Sequence, residues 1–275
     1  MTDCRLCPHN CSLQEGEAGR CKVRRNLAGK IKSDTYGKVS VMGLDPIEKK
    51  PLKMYESGKN ILSIGSFGCN LHCPFCQNHE ISLVCQRLNG QDYSVDELVG
   101  LAIQMQERNN IGIAYTYNEP LVGYEFVLDC AKKIKAVGLK NVLVSNGYIN
   151  PEPLADMLPY IDAMNIDLKA YRESFYEKLG GSLAPVKQTI EHAHKQCHVE
   201  ITTLIIPGEN DAAEEMEQMV KWIGRVSSEI PLHLSRFFPQ YHYYGNYEPT
   251  PRETMFRLQE IAKQYLHYVF LGNMG

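Results

Sequence analysis

The sequence predicts an α/β protein, a partial TIM-like (β/α)6 barrel with a Cys-rich N-terminal extension. From residue 56 onward, strand-like apolar runs alternate with segments of helical periodicity, as in βαβ units around a parallel sheet. Six such units are too few to close an eight-stranded barrel, so we expect a curved sheet with a lateral gap. Seven cysteines fall within the first 76 residues. We therefore divide the chain into a metal-binding segment, 1–55, and a barrel, 56–275.

The elements are predicted from apolar periodicity and from residues that start or stop helices. Ser94 and Glu97 form a capping box, and prolines stand at the start of three further helices. Before the barrel we expect a hairpin at 28–41 and an irregular linker at 44–53. The predicted strands are 61–67, 112–117, 141–144, 163–167, 198–206 and 232–238, with a closing piece at 268–271. The predicted helices are 94–108, 120–137, a short one after 150, 172–179, 184–195, one after 211 and one from 250.

The composition excludes several classes of protein. The 275 residues are 44% hydrophobic and carry a formal net charge of −3, which gives no basic footprint for nucleic acid or an anionic membrane. No apolar run reaches the roughly eighteen residues of a membrane span. The N-terminus lacks the apolar core of a signal peptide, so we expect a cytoplasmic protein. In that reducing compartment ten cysteines indicate metal ligation rather than disulfides.

The stretch CNLHCPFC, residues 69–76, is the strongest signal for chemistry. Its three thiols, Cys69, Cys73 and Cys76, can ligate three irons of a [4Fe–4S] cluster and leave the fourth iron open to another ligand. Phe75 stands before the last cysteine and could shield the cluster from water. The alternative is a zinc knuckle closed by a fourth ligand, for which His72 or His79 is available.

A second set of cysteines lies in the extension. Four cysteines follow the pattern C-x2-C-x3-C-x9-C, and four thiolates complete either a tetrahedral zinc site or the ligand set of a second iron–sulfur cluster. The spacing does not separate these two options. The residues are Cys4, Cys7, Cys11 and Cys21.

Polar residues follow most of the predicted strands, and the carboxyl ends of parallel strands meet at one edge of a sheet. We therefore expect them to converge on a ligand. Each also has a structural alternative: a helix cap for Glu119, a turn for Ser145 and Asn146, an ion pair for Asp167 with Lys169, and a core position for His233. The tyrosine-rich stretch 241–247 is either part of the pocket or a packed surface loop.

Six segments occur in a fixed order along the chain: CRLCPHNC, LDPIEKKPL, SIGSFGCNLHCPFCQN, TYNEP, SNGY and NIDLKAY, with FLGN late in the chain. Together they resemble radical S-adenosylmethionine (radical SAM) enzymes related to pyruvate formate-lyase activating enzyme. They are most similar to the AmmeMemoRadiSam-system branch.

The resemblance implies a function and a set of SAM-binding residues. Cys69, Cys73 and Cys76 would hold a [4Fe–4S] cluster that cleaves SAM reductively to a 5′-deoxyadenosyl radical, which abstracts hydrogen from a substrate. The family's Gly-Gly-Glu motif reads Tyr117-Asn118-Glu119 here, so the side chains of Asn118 and Glu119 would replace backbone contacts to the SAM amino group. Ser145, Asp167 and Lys169 fall at further SAM contacts, and the strand end that includes Ile205 falls where the family stacks adenine.

The resemblance leaves the substrate open between a glycyl-radical protein, a peptide and a small molecule. An electron donor such as flavodoxin or ferredoxin would be a partner, whereas the net charge of −3 argues against RNA. The alternative from another class is a zinc-binding interaction protein, in which the four-cysteine extension recruits partners and the barrel is a degenerate scaffold.

Overall fold

A computed structural model describes residues 1–84 and 89–275. Its architecture is a mixed α/β barrel with helices outside the sheet. The strands are Thr2–Asp3 (β1), Ser12–Leu13 (β2), Arg24–Leu27 (β3), Lys30–Ser33 (β4), Lys38–Val39 (β5), Val41–Pro46 (β6), Asn60–Gly65 (β7), Gln91–Asp92 (β8), Asn110–Tyr115 (β9), Lys140–Ser145 (β10), Ala163–Asp167 (β11), His198–Ile205 (β12), Leu232–Arg236 (β13) and Val269–Gly272 (β14). The α-helices are Val95–Gln104 (α1), Tyr124–Ala136 (α2), Pro151–Met157 (α3), Glu173–Lys178 (α4), Leu183–Ala193 (α5), Ala213–Val226 (α6) and Arg252–Ala262 (α7).

The main sheet confirms the predicted partial barrel. Its strand order in the described part of the chain is β14-β13-β12-β11-β10-β9-β7-β6, with two free edges. Neighbours from β7 to β14 are parallel, and β6 runs antiparallel to β7. All six predicted barrel strands and the closing strand are present; the barrel strands are largely buried, whereas only Val269 of the closing strand is. None of the helices in the described residues is long and apolar enough to cross a membrane.

Two predictions for the region before the barrel were wrong. The hairpin is β3–β4 rather than 28–41, and its two-residue turn, Ala28–Gly29, has positive φ at both positions. Part of the expected linker is the edge strand β6. The residues of β6 are exposed or half-buried, so no apolar alternation marked them, and their pairing with β7 decides the structure. The extension predicted as residues 1–55 therefore shares a strand with the barrel sheet.

The extension is attached to the barrel by partly buried polar contacts. Arg24 is 6% exposed and donates two hydrogen bonds of 2.7 Å to the carboxylate of Glu125 on α2. His9 Nε2 lies 2.7 Å from the carbonyl oxygen of Asn70, inside the cysteine loop. These contacts hold the four N-terminal cysteines beside the loop that carries Cys69.

The segment after β6 is tied to the inside of the sheet by Glu200. The Glu200 carboxylate is fully buried and accepts hydrogen bonds from the backbone N–H groups of Lys53 and Met54, at 3.0 and 2.8 Å. It also contacts the rings of His198 and His233. Burial opposes the charge, but these hydrogen bonds outweigh it and lower the pKa of Glu200 from 4.5 to about 2.

We expect Glu200→Gln to lower the free energy of unfolding by about 2 kcal/mol at pH 7, since charge-assisted hydrogen bonds are lost. The folded carboxylate binds fewer protons than the unfolded one between the two pKa values. Its contribution is therefore complete above pH 4.5 and is lost as the pH falls towards 2. Urea unfolding of the metal-free protein at pH 7 and pH 3.5 checks this. An equal difference between variant and wild type at both pH values would contradict it.

Candidate active site

A cavity of about 380 Å³ opens at the carboxyl ends of the barrel strands, and it contains most of the predicted site residues. Cavities of this size hold small ligands. Its predicted members are Cys69, Cys73, Phe75, Cys76, Asn118, Glu119, Ser145, Asn146, Asp167 and Lys169. Further lining residues are Lys49, Lys50, Gln77, Asn78, Ser82, Thr116, Tyr117, Val144, Thr202, Leu204 and Ser235.

The cysteine loop begins at Gly68, where the backbone leaves β7. Gly68 has a φ of +88°, and a Cβ there would come within 2.6 Å of Val23 and 2.8 Å of the Cys21 carbonyl oxygen. Glycine is therefore required both for the conformation and for the close approach of the extension. The same contact places Cys21 of the extension next to the start of the cysteine loop.

Asn118 braces this turn with its whole side chain. Its Oδ1 accepts from Ser66 N at 2.9 Å, and its Nδ2 donates to the carbonyl oxygens of Phe67 and Gly68 at 3.0 and 3.1 Å. The preceding residue, Tyr117, has a φ of +72°, a backbone conformation that usually favours glycine. The side chain predicted to bind a ligand thus has internal partners, although it also lines the cavity.

We expect Asn118→Ala to loosen the cysteine loop without removing a thiol. The Ser66 N–H and two carbonyl oxygens would lose their partner, which costs about 1–3 kcal/mol when such groups are buried. The melting temperature and the iron retained after anaerobic gel filtration should both fall. Asn118→Asp keeps the acceptor for Ser66 N but replaces the donor by an oxygen that faces the carbonyl oxygens of Phe67 and Gly68, so it should also lose iron. Wild-type iron retention in Asn118→Ala would contradict a bracing role.

The three thiols suit a cluster ligand role by their chemistry. Cys69 Sγ is approached by Leu71 N at 3.4 Å and by Asn146 Nδ2 at 3.6 Å, so donors already point at its sulfur. Burial raises the pKa of all three thiols, that of Cys73 to about 11. A bound metal would displace these protons, because the thiolate is the metal ligand.

The described His, Cys, Asp and Glu side chains form no group of three or more that could hold a metal ion as they stand. A cubane has a different requirement, since each thiolate binds a different iron, and Cys69, Cys73 and Cys76 share one cavity. This donor set fits a [4Fe–4S] cluster. In the extension, Cys4 and Cys21 are buried and Cys7 and Cys11 are half-buried. Zinc or a second cluster at these four stays a prediction.

Glu119 links two strand ends. Its Oε1 accepts from Ser145 Oγ at 2.8 Å and from Leu121 N at 3.1 Å, and its Oε2 accepts from Asn146 N at 2.8 Å. The bond to Leu121 is the helix-cap role, and the other two join the ends of β9 and β10. Burial raises the pKa of Glu119 to about 7, so its carboxyl can hold or release a proton near neutral pH.

Asp167 and Lys169 form an ion pair at the end of β11. Lys169 Nζ lies 2.9 Å from Asp167 Oδ2, and the side chains are 16% and 38% exposed. Burial opposes the ammonium charge, but Asp167 and the neighbouring Cys73 outweigh it and raise the pKa of Lys169. Both residues line the cavity together with Cys73, so they can serve as an ion pair and as groups that contact a ligand.

Two predicted residues are not brought to the cavity. Ile205 is fully buried in the core, and Leu204 and Thr202 take the inward positions of β12, because side chains alternate along a strand. His233 contacts Glu200 and packs against Phe270. Its position matches the core alternative. Lys49 also lines the cavity but was not predicted as a site residue, because it lies in the segment LDPIEKKPL, which was expected to be a linker.

Phe75 packs within an aromatic cluster formed with the tyrosine-rich stretch. Its ring centroid lies 6.1 Å from that of Phe175 and 5.8 Å from that of Tyr243. Tyr241 stacks on His79 at 4.3 Å. The stretch thus covers the cysteine loop, and its backbone also bonds there, from His242 N to Pro74 O at 3.0 Å.

Comparison with known proteins gives matches over most of the chain. The model of the Radical SAM superfamily matches residues 63–223. An uncharacterized protein of Methanocaldococcus jannaschii, MJ0808, is 38% identical, over 98% of this chain and 81% of the relative. Pyruvate formate-lyase 1-activating enzyme of Escherichia coli K12 is 24% identical, over 74% of this chain and 88% of the enzyme.

A solved structure, Streptococcus suis SuiB bound to S-adenosylmethionine, has a TM-score of 0.60 at 13% identity. The match covers 78% of this chain and 52% of SuiB, and at this identity it supports the fold alone. The partial barrel agrees with the family-model match, and the matched range includes the cysteine loop. The chain belongs to the Radical SAM superfamily and is similar to the pyruvate formate-lyase activating enzymes within it.

Proposed function

We propose that Cys69, Cys73 and Cys76 hold a [4Fe–4S] cluster with one iron left for SAM. The observation that carries this proposal is that all three thiols share one cavity with the polar ends of three neighbouring strands. These residues would hold the cluster, which when reduced would supply the one electron needed to split SAM into methionine and a 5′-deoxyadenosyl radical, and that radical would abstract hydrogen from the substrate.

The residues of the cavity provide complementary groups for SAM. Lys169 offers an ammonium for the SAM carboxylate, and Asp167 offers an acceptor for a ribose hydroxyl or for the SAM ammonium. Glu119 sets the positions of Ser145 and Asn146 and, with its pKa near 7, can accept from the SAM ammonium. Phe75 and its aromatic neighbours keep water from the thiols.

The placement of two histidines supports this proposal over the zinc-knuckle alternative. His79 stacks on Tyr241, and its Nδ1 lies 3.2 Å from the carbonyl oxygen of Cys76. His72 lies beside Gly180 and Arg20, where a Cβ on Gly180 would be 3.8 Å from His72 Nδ1. Neither ring is among the described residues that line the cavity. Their positions outside this lining support an iron left open for SAM.

The proposal includes a class of substrate and an electron donor as partners. Similarity to activating enzymes supports a protein, peptide or small-molecule substrate that gives up a hydrogen atom. A flavodoxin or ferredoxin would provide the electron. The contact between the extension and the cysteine loop would place a second cluster at Cys4, Cys7, Cys11 and Cys21 close to the first, whereas zinc there would be structural.

Anaerobic reconstitution with iron and sulfide tests the proposal. We expect about four irons and four sulfides per chain, or about twice that if the extension holds a second cluster. With SAM and a strong reductant, the protein should release 5′-deoxyadenosine and methionine. Zinc as the sole bound metal, with no release above that of protein-free controls, would support the zinc-binding interaction protein instead.

A further inference from the structure

Two adjacent lysines line the active-site cavity apart from the residues assigned to SAM. Lys49 and Lys50 follow β6, and they share the cavity with Thr202 and Ser235. Lys50 is only 3% exposed, which is rare for a lysine unless the charge is paired. We call Lys49 and Lys50 the lysine pair.

The position of Lys50 is fixed by a dedicated set of contacts. Its Nζ lies 2.8 Å from Asp45 Oδ2 and 4.6 Å from the centre of the Tyr117 ring. The Tyr117 hydroxyl donates to the same Asp45 oxygen at 2.8 Å. Glycine is needed at position 65, because a Cβ there would lie 3.0 Å from the Cβ of Tyr117. The positive φ of Tyr117 therefore serves to bring its ring to the lysine pair.

The charges around the lysine pair do not balance. Asp45 is the carboxylate that both lysines share, because Lys49 Nζ also lies 3.6 Å from its Oδ1. Asp167, which lines the same cavity, is already paired with Lys169. Two ammonium groups thus face one carboxylate, which leaves one positive charge in excess. An ammonium has three N–H donors, and Lys50 gives one to Asp45 and has a long contact of 3.5 Å to the Tyr117 hydroxyl.

We propose that the lysine pair binds an anionic group, a carboxylate or a phosphate, on the substrate that enters the cavity beside SAM. This inference rests on the proposed function, since it assigns the part of the same cavity that SAM leaves free. A partly desolvated cation with a spare donor binds an anion more strongly than the same group does in water. The cavity of about 380 Å³ must also hold SAM, so a small anionic end group fits better than a bulky one.

Titration calorimetry of the reconstituted, SAM-saturated protein tests the inference, with sodium phosphate and sodium acetate as separate probes. Saturable binding of one equivalent is expected, and the tighter probe identifies the headgroup. Lys50→Met should weaken it by about tenfold or more, Lys49→Met by less, and Asp45→Asn should tighten it. Lys53→Met is the matched control, because the Lys53 ammonium lies over the Phe270 ring and does not line the cavity.

If Lys50→Met does not fold, two other variants still test the inference. Lys49 is exposed, so Lys49→Met should fold, and the double variant Asp45→Asn with Lys50→Met removes the buried pair without leaving a lone charge. Equal anion affinity in wild type and Lys49→Met, or no binding by a wild type that cleaves SAM, would overturn the inference. A wild type that does not cleave SAM would overturn the proposed function instead.

Discussion

Replacing any one of Cys69, Cys73 and Cys76 by alanine should abolish SAM cleavage, lowering the rate of 5′-deoxyadenosine release by more than about 10³-fold. Each thiolate would bind a different iron, so losing one leaves the cluster incomplete or unbound. The measurement is product release under reducing, anaerobic conditions, with the iron content of each variant determined in parallel.

The matched control is Cys197→Ala. Cys197 is half-buried like Cys69 and Cys76, but it contacts the carbonyl oxygen of Ala193 and does not line the cavity. It should keep wild-type iron and activity. Wild-type product release from Cys73→Ala, or an equal loss in Cys197→Ala, would contradict the assignment of the three thiols.

Lys169→Met should weaken SAM binding by about 10- to 100-fold, because a charged hydrogen bond to the SAM carboxylate is lost and Asp167 is left unpaired. Equilibrium dialysis of the reconstituted protein with labelled SAM gives the dissociation constant. Since Lys169 is not a cluster ligand, the iron content should stay near that of the wild type.

Lys187→Met controls for the loss of a half-buried lysine elsewhere. Lys187 Nζ lies 3.1 Å from the Tyr171 hydroxyl and 4.9 Å from the centre of the Trp222 ring, outside the cavity. Its SAM affinity should match the wild type. Unchanged SAM affinity in Lys169→Met would leave the Asp167–Lys169 pair with the structural role that was its alternative.

The parts of the molecule that follow from local sequence could be predicted. Barrel strands are buried apolar runs, and parallel strands bring their carboxyl ends together, so it could be expected that Glu119, Ser145 and Asp167 lie around one cavity. The spacing of Cys69, Cys73 and Cys76 was enough to predict a metal-binding loop at residues 69–76. These features depend on the periodicity of apolar residues and on the direction of the strands, and both can be obtained from the sequence itself.

The features that could not be predicted depend on contacts between segments that are far apart in the chain. Strand β6 has no apolar pattern, and only its pairing with β7 reveals it. The role of Lys50 requires Asp45 and Tyr117, which are 72 positions apart in the chain. His233 was grouped with the polar residues at strand ends, with a core position as its alternative, and its partner Glu200 lies on another strand and could not be predicted from spacing.

The most direct test of the account is the electron paramagnetic resonance spectrum of the reduced, reconstituted protein, recorded with and without SAM. If one iron is free of protein ligands, SAM should change the spectrum of the cluster. SAM labelled with ¹⁵N in the amino group and ¹³C in the carboxylate should then show hyperfine coupling to it. A cluster spectrum that SAM leaves unchanged would mean that all four irons are already ligated, and it would contradict the account.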